Sequence, residues 1–343
     1  MKKLITHKYF FWFITAILSG YVFIVFIKSP GINGYERAMF PEMIYGTSWK
    51  PFVYRTLLPS AVRVTSEIIP EQIHNSLTEK IEDSEFGKLV LQKLKWESEF
   101  ITEYLIAMIY MWWFLVGVVY AFRKLLTAVY YSPKWFANFI SLTALFALPT
   151  MFQYYSYIYD FPTMFLFTSG LVLLVKQKWN YFLILFFISC FNKETTILLT
   201  LVFAIHIYNN GKVSKRLYYK LIAAQIFIFI SIKTLLYFLF IDNPGGFVEF
   251  HLIDRNYLIF NGFTLTTFVV WLTIGLMTFS KWGEKPKFLK DAIWIGVPLI
   301  VLSFFLGFFD ELRDYYELFP IVFLLVTFNI GRFLGLNLMQ NRN

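Results

Sequence analysis

The chain has 343 residues, of which 58% are hydrophobic, 22% aromatic and only 15% charged. A soluble domain carries about 25% charged residues, so this composition excludes an ordinary soluble protein. The net charge of +9 would suggest nucleic acid in a soluble protein, but Lys and Arg of membrane proteins collect in cytoplasmic loops, and we expect no nucleic-acid partner.

The first apolar run, YFFWFITAILSGYVFIVFI, covers residues 9–27 and follows a basic N-terminus. It is long enough to cross a bilayer, which takes about 20 residues, and it lacks the small-residue cleavage pattern of a signal peptide. We therefore interpret it as a retained first span.

The one large hydrophilic segment is 28–103, and we predict that it forms an extracytoplasmic first loop. Within and just beyond it, residues 59–70 and 84–105 carry apolar side chains at helical spacing. This pattern predicts two amphipathic helices that lie on the membrane interface.

Apolar segments recur along the rest of the chain and predict an all-α polytopic membrane protein with about ten transmembrane helices. No domain boundary interrupts them, so we predict a single transmembrane domain over 1–343. The predicted spans are 9–27, 104–122, 136–152, 161–175, 180–191, 195–208, 218–240, 264–280, 292–308 and 317–335.

Charge predicts the orientation of these spans. With the N-terminus inside, the cytoplasmic segments hold 18 of the 31 Lys and Arg residues and only two of the 22 acids, a net charge of +16 against −7 elsewhere. The positive-inside rule then places both termini in the cytoplasm. We expect a multi-pass plasma (inner) membrane protein whose surroundings are the lipid bilayer.

The region between Lys178 and Asn209 is too short for two full spans. A single span would put one of its basic flanks outside. We therefore predict two short helices that meet in the outer half of the membrane, with the turn CFNKET (190–195) recessed. Such a turn is stable only when it is buried in protein or lines a cavity.

Polar residues outside the cytoplasmic segments collect in five short stretches at the outer ends of spans. The stretches are GYERAMFPEM (34–43), KPFVYRTLLP (50–59), YYSYIYDFPT (154–163), FNKET (191–195) and DELRDYYELFP (310–320). A compact bundle brings such ends together, and ionisable groups near the membrane core are candidates for function. The predicted site residues are Glu36, Glu42, Arg55, Asp160, Lys193, Glu194, Glu311, Arg313, Asp314 and Tyr315.

This mixture of side chains suits transfer of a group from a lipid-linked phosphate. A carboxylate can take the proton of an attacking hydroxyl, Arg and Lys can hold a phosphate, and aromatic rings can stack on a sugar or accept an isoprenoid chain.

The layout resembles the GT-C class of integral membrane glycosyltransferases, which includes the protein O-mannosyltransferases and the lipid A aminoarabinose transferases. The similarity lies in the inside N-terminus, the long first loop with interfacial helices, the acids early in that loop and the number of spans. It implies a polyprenyl-phosphate-linked sugar as donor, an unknown glycan, lipid or protein as acceptor, and Glu36 or Glu42 as the catalytic base. The class usually has an Asp, often an acidic pair, where this chain has these separate glutamates.

Other interpretations stay open at this point. Arg55 could extend to lipid phosphates, Asp160 could cap the fourth span, the tyrosines could form an interfacial belt, and residues 310–317 could be a solvated turn. A polysaccharide polymerase or ligase, or a transporter or flippase of lipid-linked sugars, are alternative functions.

No cofactor is predicted with certainty. The four histidines show no metal-ligand spacing, although a divalent metal is left open. We find no phosphate-binding glycine-rich loop, and we assign no chemistry to NPGG (243–246) or to FVEFHLIDRNYLIF (247–260), which we expect to cover the site as an outer loop or short helix.

Overall fold

The computed structural model describes residues 2–29, 31–211, 213–246, 248–252 and 265–340, and these residues are largely helical. The longer helices are α1 (Lys2–Lys28), α2 (Phe40–Tyr45), α3 (Leu57–Ile68), α4 (Glu71–Asp83), α5 (Glu85–Leu94), α6 (Ile101–Val129), α7 (Lys134–Ala147), α8 (Asp160–Val175), α9 (Trp179–Cys190), α10 (Leu198–Asn210), α11 (Lys215–Leu239), α12 (Leu265–Phe279), α13 (Lys287–Ala292), α14 (Gly296–Leu306) and α15 (Phe319–Phe333). Short 3-10 turns connect several of them, at Glu36–Ala38, Phe52–Tyr54, Ser98–Phe100, Leu148–Met151, Glu194–Ile197, Trp282–Glu284, Ile293–Ile295 and Leu312–Tyr315. The two short strands are β1 (Tyr130–Tyr131) and β2 (Met339–Gln340), which pair antiparallel.

The prediction of a largely helical protein is confirmed, and the length and composition of several helices suit a membrane. Among the described residues, four helical segments are long and apolar enough to cross a membrane, namely Tyr9–Lys28, Ser98–Val129, Lys215–Leu239 and Lys287–Leu306. Shorter apolar helices lie at Asp160–Val175, Trp179–Cys190, Phe268–Phe279 and Phe319–Phe333. Each of the ten predicted spans contains a helix, while ten membrane crossings stay a prediction.

The predicted amphipathic helix at 84–105 is wrong as a continuous helix. Its first part, α5, ends at Leu94, and the next residue, Lys95, has a left-handed backbone with φ of 55°. The chain then turns, and Trp96 stacks on Tyr104 with ring centres 4.3 Å apart and ring planes 4° from parallel. The Trp96 indole is buried, and its packing stabilises the interruption between α5 and α6. Helical spacing in the sequence does not reveal this interruption.

The other interfacial helix is close to its prediction, since α3 covers most of 59–70. The sequence analysis missed α4, which follows Pro70 directly and has no fully buried residue. Pro70 has extended backbone and stands just before the first helical residue, a place where proline is well tolerated.

The helix bundle has two chemically different ends. We call the end that carries residues 31–100 the long-loop end, and the opposite end the basic end. At the basic end, the imidazole Nδ1 of His206 lies 2.8 Å from the carboxylate of Asp291, and Arg332 pairs with Glu284. Tyr130 pairs with Gln340 in the two-stranded ladder. The segments that charge assigns to one side of the membrane therefore contact one another.

Candidate functional site

A cavity of about 290 Å³ opens at the long-loop end. Small-molecule sites have volumes of about 300–1,000 Å³, so this cavity is close to the lower end of that range, which suits a small group such as a sugar or a phosphate. Its lining comes from widely separated parts of the chain: the turn before α3, the segment before α8, the turn between α9 and α10, α11, α14 and the connection after α14. The charged side chains on the lining are Arg55, Lys193, Glu194, Lys233, Glu249, Glu311, Arg313 and Asp314.

Arg55 is placed by the 3-10 turn of Phe52–Tyr54, which ends at this residue. Its side chain is buried, and its Nη2 donates to the Glu194 carboxylate at 2.7 Å. Its Nη1 donates to the Tyr159 hydroxyl, and the guanidinium carbon lies 4.4 Å from the centre of that ring. A partly exposed carboxylate and a buried tyrosine thus hold one fixed cation in the cavity wall.

Two stacked tyrosines support both arginines of the cavity. The segment before α8 is not helical, and residues two apart on an extended chain point to the same side. The rings of Tyr157 and Tyr159 lie 5.1 Å apart and 7° from parallel. The guanidinium of Arg313 lies 4.4 Å from the Tyr157 ring centre, just as that of Arg55 lies over Tyr159. Desolvated cation–π contacts of this kind contribute about 2 kcal/mol or more.

Arg313 contacts three carboxylates. Its guanidinium nitrogens lie 2.9 Å from Glu311, 3.6 Å from Asp160 and 3.8 Å from Asp314. Burial raises the pKa of Glu311 to about 7, because Arg313 offsets the lost hydration only in part and Asp314 adds repulsion. Glu311 is therefore a lining carboxylate that exchanges its proton near neutral pH.

Asp160 is the first residue of α8 and is almost completely buried behind the cavity wall. Its carboxylate accepts a hydrogen bond of 2.9 Å from the backbone N–H of Tyr157. The interpretation of Asp160 as a helix cap is thus wrong, because the N–H that it binds precedes the helix. The carboxylate instead orders the tyrosine segment and contacts Arg313.

The turn between α9 and α10 places two adjacent charges in different pairs. Adjacent residues do not face each other on a helix, so Lys193 and Glu194 need separate partners. The Lys193 ammonium lies 3.3 Å from the Glu317 carboxylate, and both side chains are buried. Thr195 donates a hydrogen bond to the same carboxylate. Together with the Arg55–Glu194 pair, this contact connects the turn to the first loop and to the start of α15.

The sequence analysis missed Lys233, which lies in the last third of α11 and reaches the cavity. Its ammonium donates to the backbone carbonyl of Cys190 at 2.9 Å. A lysine well inside a predicted span is itself a functional signal and could have identified it.

The loop after α11 also contributes to the lining, through Val248, Glu249 and His251. The Glu249 carboxylate pairs with Arg37 at 2.8 Å, which connects this loop to the first loop. These three residues lie next to the cavity, where the sequence analysis expected a cover, and positions 247 and 253–260 of that predicted segment lie outside the described residues.

Besides Asp160, which lies behind the wall, three predicted site residues lie away from the cavity lining. Glu36 is exposed in a single 3-10 turn. Glu42 lies in α2, where burial raises the pKa of its carboxyl group. Tyr315 is buried and donates to the backbone carbonyl of Phe309 at 3.1 Å, so it supports the connection between α14 and α15 from behind.

Charge is almost balanced around the cavity. Four cations lie near five carboxylates. This count includes Asp160 and Glu317, which lie behind the wall, and leaves out the separate Arg37–Glu249 pair. Within the described residues, no group of three or more His, Cys, Asp or Glu side chains is arranged to hold a metal ion. The cations are Arg55, Lys193, Lys233 and Arg313, and the carboxylates are Asp160, Glu194, Glu311, Asp314 and Glu317.

No protein family, curated protein or solved structure matches this chain.

Proposed function

We propose that this chain is a membrane glycosyltransferase that moves a sugar from a polyprenyl-phosphate-linked donor to an acceptor hydroxyl on the extracytoplasmic face. The observation that carries the proposal is the convergence of Arg55, Lys193, Lys233 and Arg313 with several carboxylates in one cavity. Phosphate recognition needs the cations, and hydroxyl activation needs a carboxylate.

The position of the cavity supports an outward-facing site. It opens at the long-loop end, which the distribution of Lys and Arg assigns to the outside. The proposal includes ten spans, both termini in the cytoplasm and a location in the plasma (inner) membrane. All charged lining residues come from this one end or from α11, which favours reaction at a surface over transport through the bundle.

The donor phosphate fits the part of the wall formed by Arg55, Lys193 and Lys233. Arg55 presents a planar fork, which suits two phosphate oxygens, and each lysine presents a point charge. The Glu194 carboxylate that now pairs with Arg55 is partly exposed, so an arriving phosphate can share or replace it. Tyr35, Tyr155 and Tyr157 line the same cavity and offer ring faces to a sugar.

Glu311 is the lining carboxylate best suited to act as general base. A catalytic base works best when its pKa is close to the operating pH, and burial raises the pKa of Glu311 to about 7. In the proposed step, the acceptor oxygen attacks the anomeric carbon of the sugar while the bond from that carbon to the phosphate oxygen breaks. The hydroxyl proton passes to Glu311, and the polyprenyl phosphate leaves with the electron pair, held by Arg55 and Lys193. This assignment takes the place of Glu36 and Glu42.

Binding of a polyprenyl phosphate to the purified full-length chain tests the proposal. Each charge-assisted hydrogen bond contributes about 1.5–3 kcal/mol, so Arg55→Gln and Lys193→Gln should each weaken binding about tenfold or more. The matched control is Arg63→Gln, since Arg63 lies on α3 and is partly exposed next to Glu67. It should bind like the wild type.

The unphosphorylated polyprenol separates phosphate recognition from lipid binding, because it should bind the wild type and both cavity variants equally. If the wild type binds the phosphate no better than the polyprenol, the proposed function is wrong.

A further inference from the structure

We infer that a second, smaller cavity behind the site binds one sodium ion. It has a volume of about 10 Å³, which is close to the minimum that holds one water molecule. It lies where α8, the turn between α9 and α10 and the approach to α15 meet. We call its polar residues the oxygen cage: Thr163, Ser189, Asn192, Thr195, Thr196 and Glu317.

Two oxygen atoms of the cage have no hydrogen-bond partner among the described residues. They are the side-chain Oδ1 of Asn192 and the Oε2 of Glu317, and both are inaccessible to solvent. Asn192 is 1% exposed and Glu317 is 0% exposed. Buried polar atoms without partners are rare in native structures and call for a bound group.

The other polar groups of the cage do not offer hydrogens to these two oxygens. Thr163 donates to the carbonyl of Tyr159 at 2.8 Å, and Ser189 donates to the carbonyl of Leu185 at 2.7 Å. Thr196 donates to the carbonyl of Ser189 at 2.9 Å.

The amide and the last hydroxyl are engaged in the same way. The Asn192 nitrogen donates to Thr163 at 2.7 Å and to the carbonyl of Tyr159 at 3.3 Å, and Thr195 donates to the other oxygen of Glu317. The cage therefore presents acceptor oxygens and no free donor.

An acceptor-only cage matches a cation better than a water molecule. A water molecule could donate to Asn192 and Glu317, but its own lone pairs would meet further acceptors. A hard cation uses every lone pair, because such ions take oxygen ligands from carboxylates, amides and hydroxyls. The volume suits a single small ion without its own water shell, which disfavours magnesium because that ion usually keeps several waters.

Charge selects a monovalent ion. Glu317 is the carboxylate of the oxygen cage and already pairs with Lys193, so the cage carries little net negative charge and suits a monovalent ion better than a divalent one. Lys193 occupies Oε1 of Glu317 at 3.3 Å, which leaves Oε2 for the ion. Thr195 lines both the oxygen cage and the main cavity, so a bound ion would hold the turn that carries Lys193 in place.

Binding of radioactive sodium to the purified full-length chain in choline chloride tests this inference without any measurement of enzymatic activity. We expect saturable binding of one ion per chain, displaced by unlabelled sodium and at least tenfold less well by potassium. Glu317→Gln keeps the shape but adds an amide donor, and it should weaken sodium binding tenfold or more. The control Glu284→Gln changes a carboxylate at the basic end and should bind like the wild type.

Thermal unfolding of the wild-type chain keeps the inference testable if Glu317→Gln does not fold. Ligands that bind only the folded state raise the unfolding midpoint as their concentration exceeds the dissociation constant. The midpoint should therefore rise with sodium chloride but not with choline chloride of equal ionic strength. No saturable sodium binding, equal midpoints in both salts, or binding that Glu317→Gln leaves unchanged would each overturn the inference, and the oxygen cage would then hold a water molecule or a proton.

Discussion

Replacement of Arg313 by methionine should destabilise the protein strongly. The guanidinium lies within 3.8 Å of the carboxylates of Glu311, Asp160 and Asp314, and the arginine and its two nearest partners are almost completely buried. Removal of one partner from a buried ion pair costs about 3–5 kcal/mol, because it leaves an uncompensated charge. That loss is large compared with a typical total stability of about 5–15 kcal/mol.

The measurement is the midpoint of thermal unfolding in detergent, followed by tryptophan fluorescence, for Arg313→Met and for the control Arg332→Met. Arg332 pairs with Glu284 at the basic end, and both side chains are 40–47% exposed. An exposed pair contributes about 0–1 kcal/mol, so the control should lose little.

The pH dependence gives the sharper test. Without the guanidinium, the three carboxylates repel one another and fold best when they are protonated. The folded state of the variant therefore binds protons more tightly than its unfolded state, and its stability falls as pH rises. The difference in unfolding midpoint between Arg313→Met and the wild type should therefore become smaller as the pH falls from 8 to 5. Adding Glu311→Gln to Arg313→Met should recover part of the lost stability. A loss no greater than that of Arg332→Met, or a gap that is the same at every pH, would refute the reasoning.

The remaining predictions concern turnover, local packing and topology. Glu311→Gln should lower turnover of the polyprenyl-phosphate-linked donor about 10²–10⁴-fold. Wild-type activity should rise with pH through about 7 as this carboxyl group loses its proton. A variant with full activity and an unchanged pH profile would exclude Glu311 as the base. Gly307→Ala should weaken donor turnover and lower the unfolding midpoint, since an added Cβ would lie 2.2 Å from Oδ2 of Asp314; a variant equal to the wild type in both assays would show that the connection after α14 tolerates the shift. A cysteine placed at Asn210 should resist a membrane-impermeant thiol reagent in intact cells while one at Lys80 reacts, and the reverse pattern would invert the proposed topology.

Local patterns in the sequence were sufficient for the apolar helices and for most of the candidate site. Uninterrupted apolar runs can satisfy their backbone groups in lipid only as helices, so the apolar segments coincide with helices. Charged side chains are costly near the membrane core, so the few that occur there stand out. Arg55, Lys193 and Arg313 could therefore be selected from the sequence and lie on one cavity.

Tertiary structure decided which groups meet. The partners Lys193 and Glu317 are 124 positions apart in the sequence, and their contact depends on the rotation and packing of helices, which no local pattern reports. The same packing leaves Glu36 exposed and buries Glu311, so two glutamates that look alike in sequence differ in the environment that sets their chemistry. The break at Lys95 has the same origin, because the side chain of Asn33, 62 positions away, donates to the Lys95 carbonyl and stabilises a backbone turn within a helical pattern.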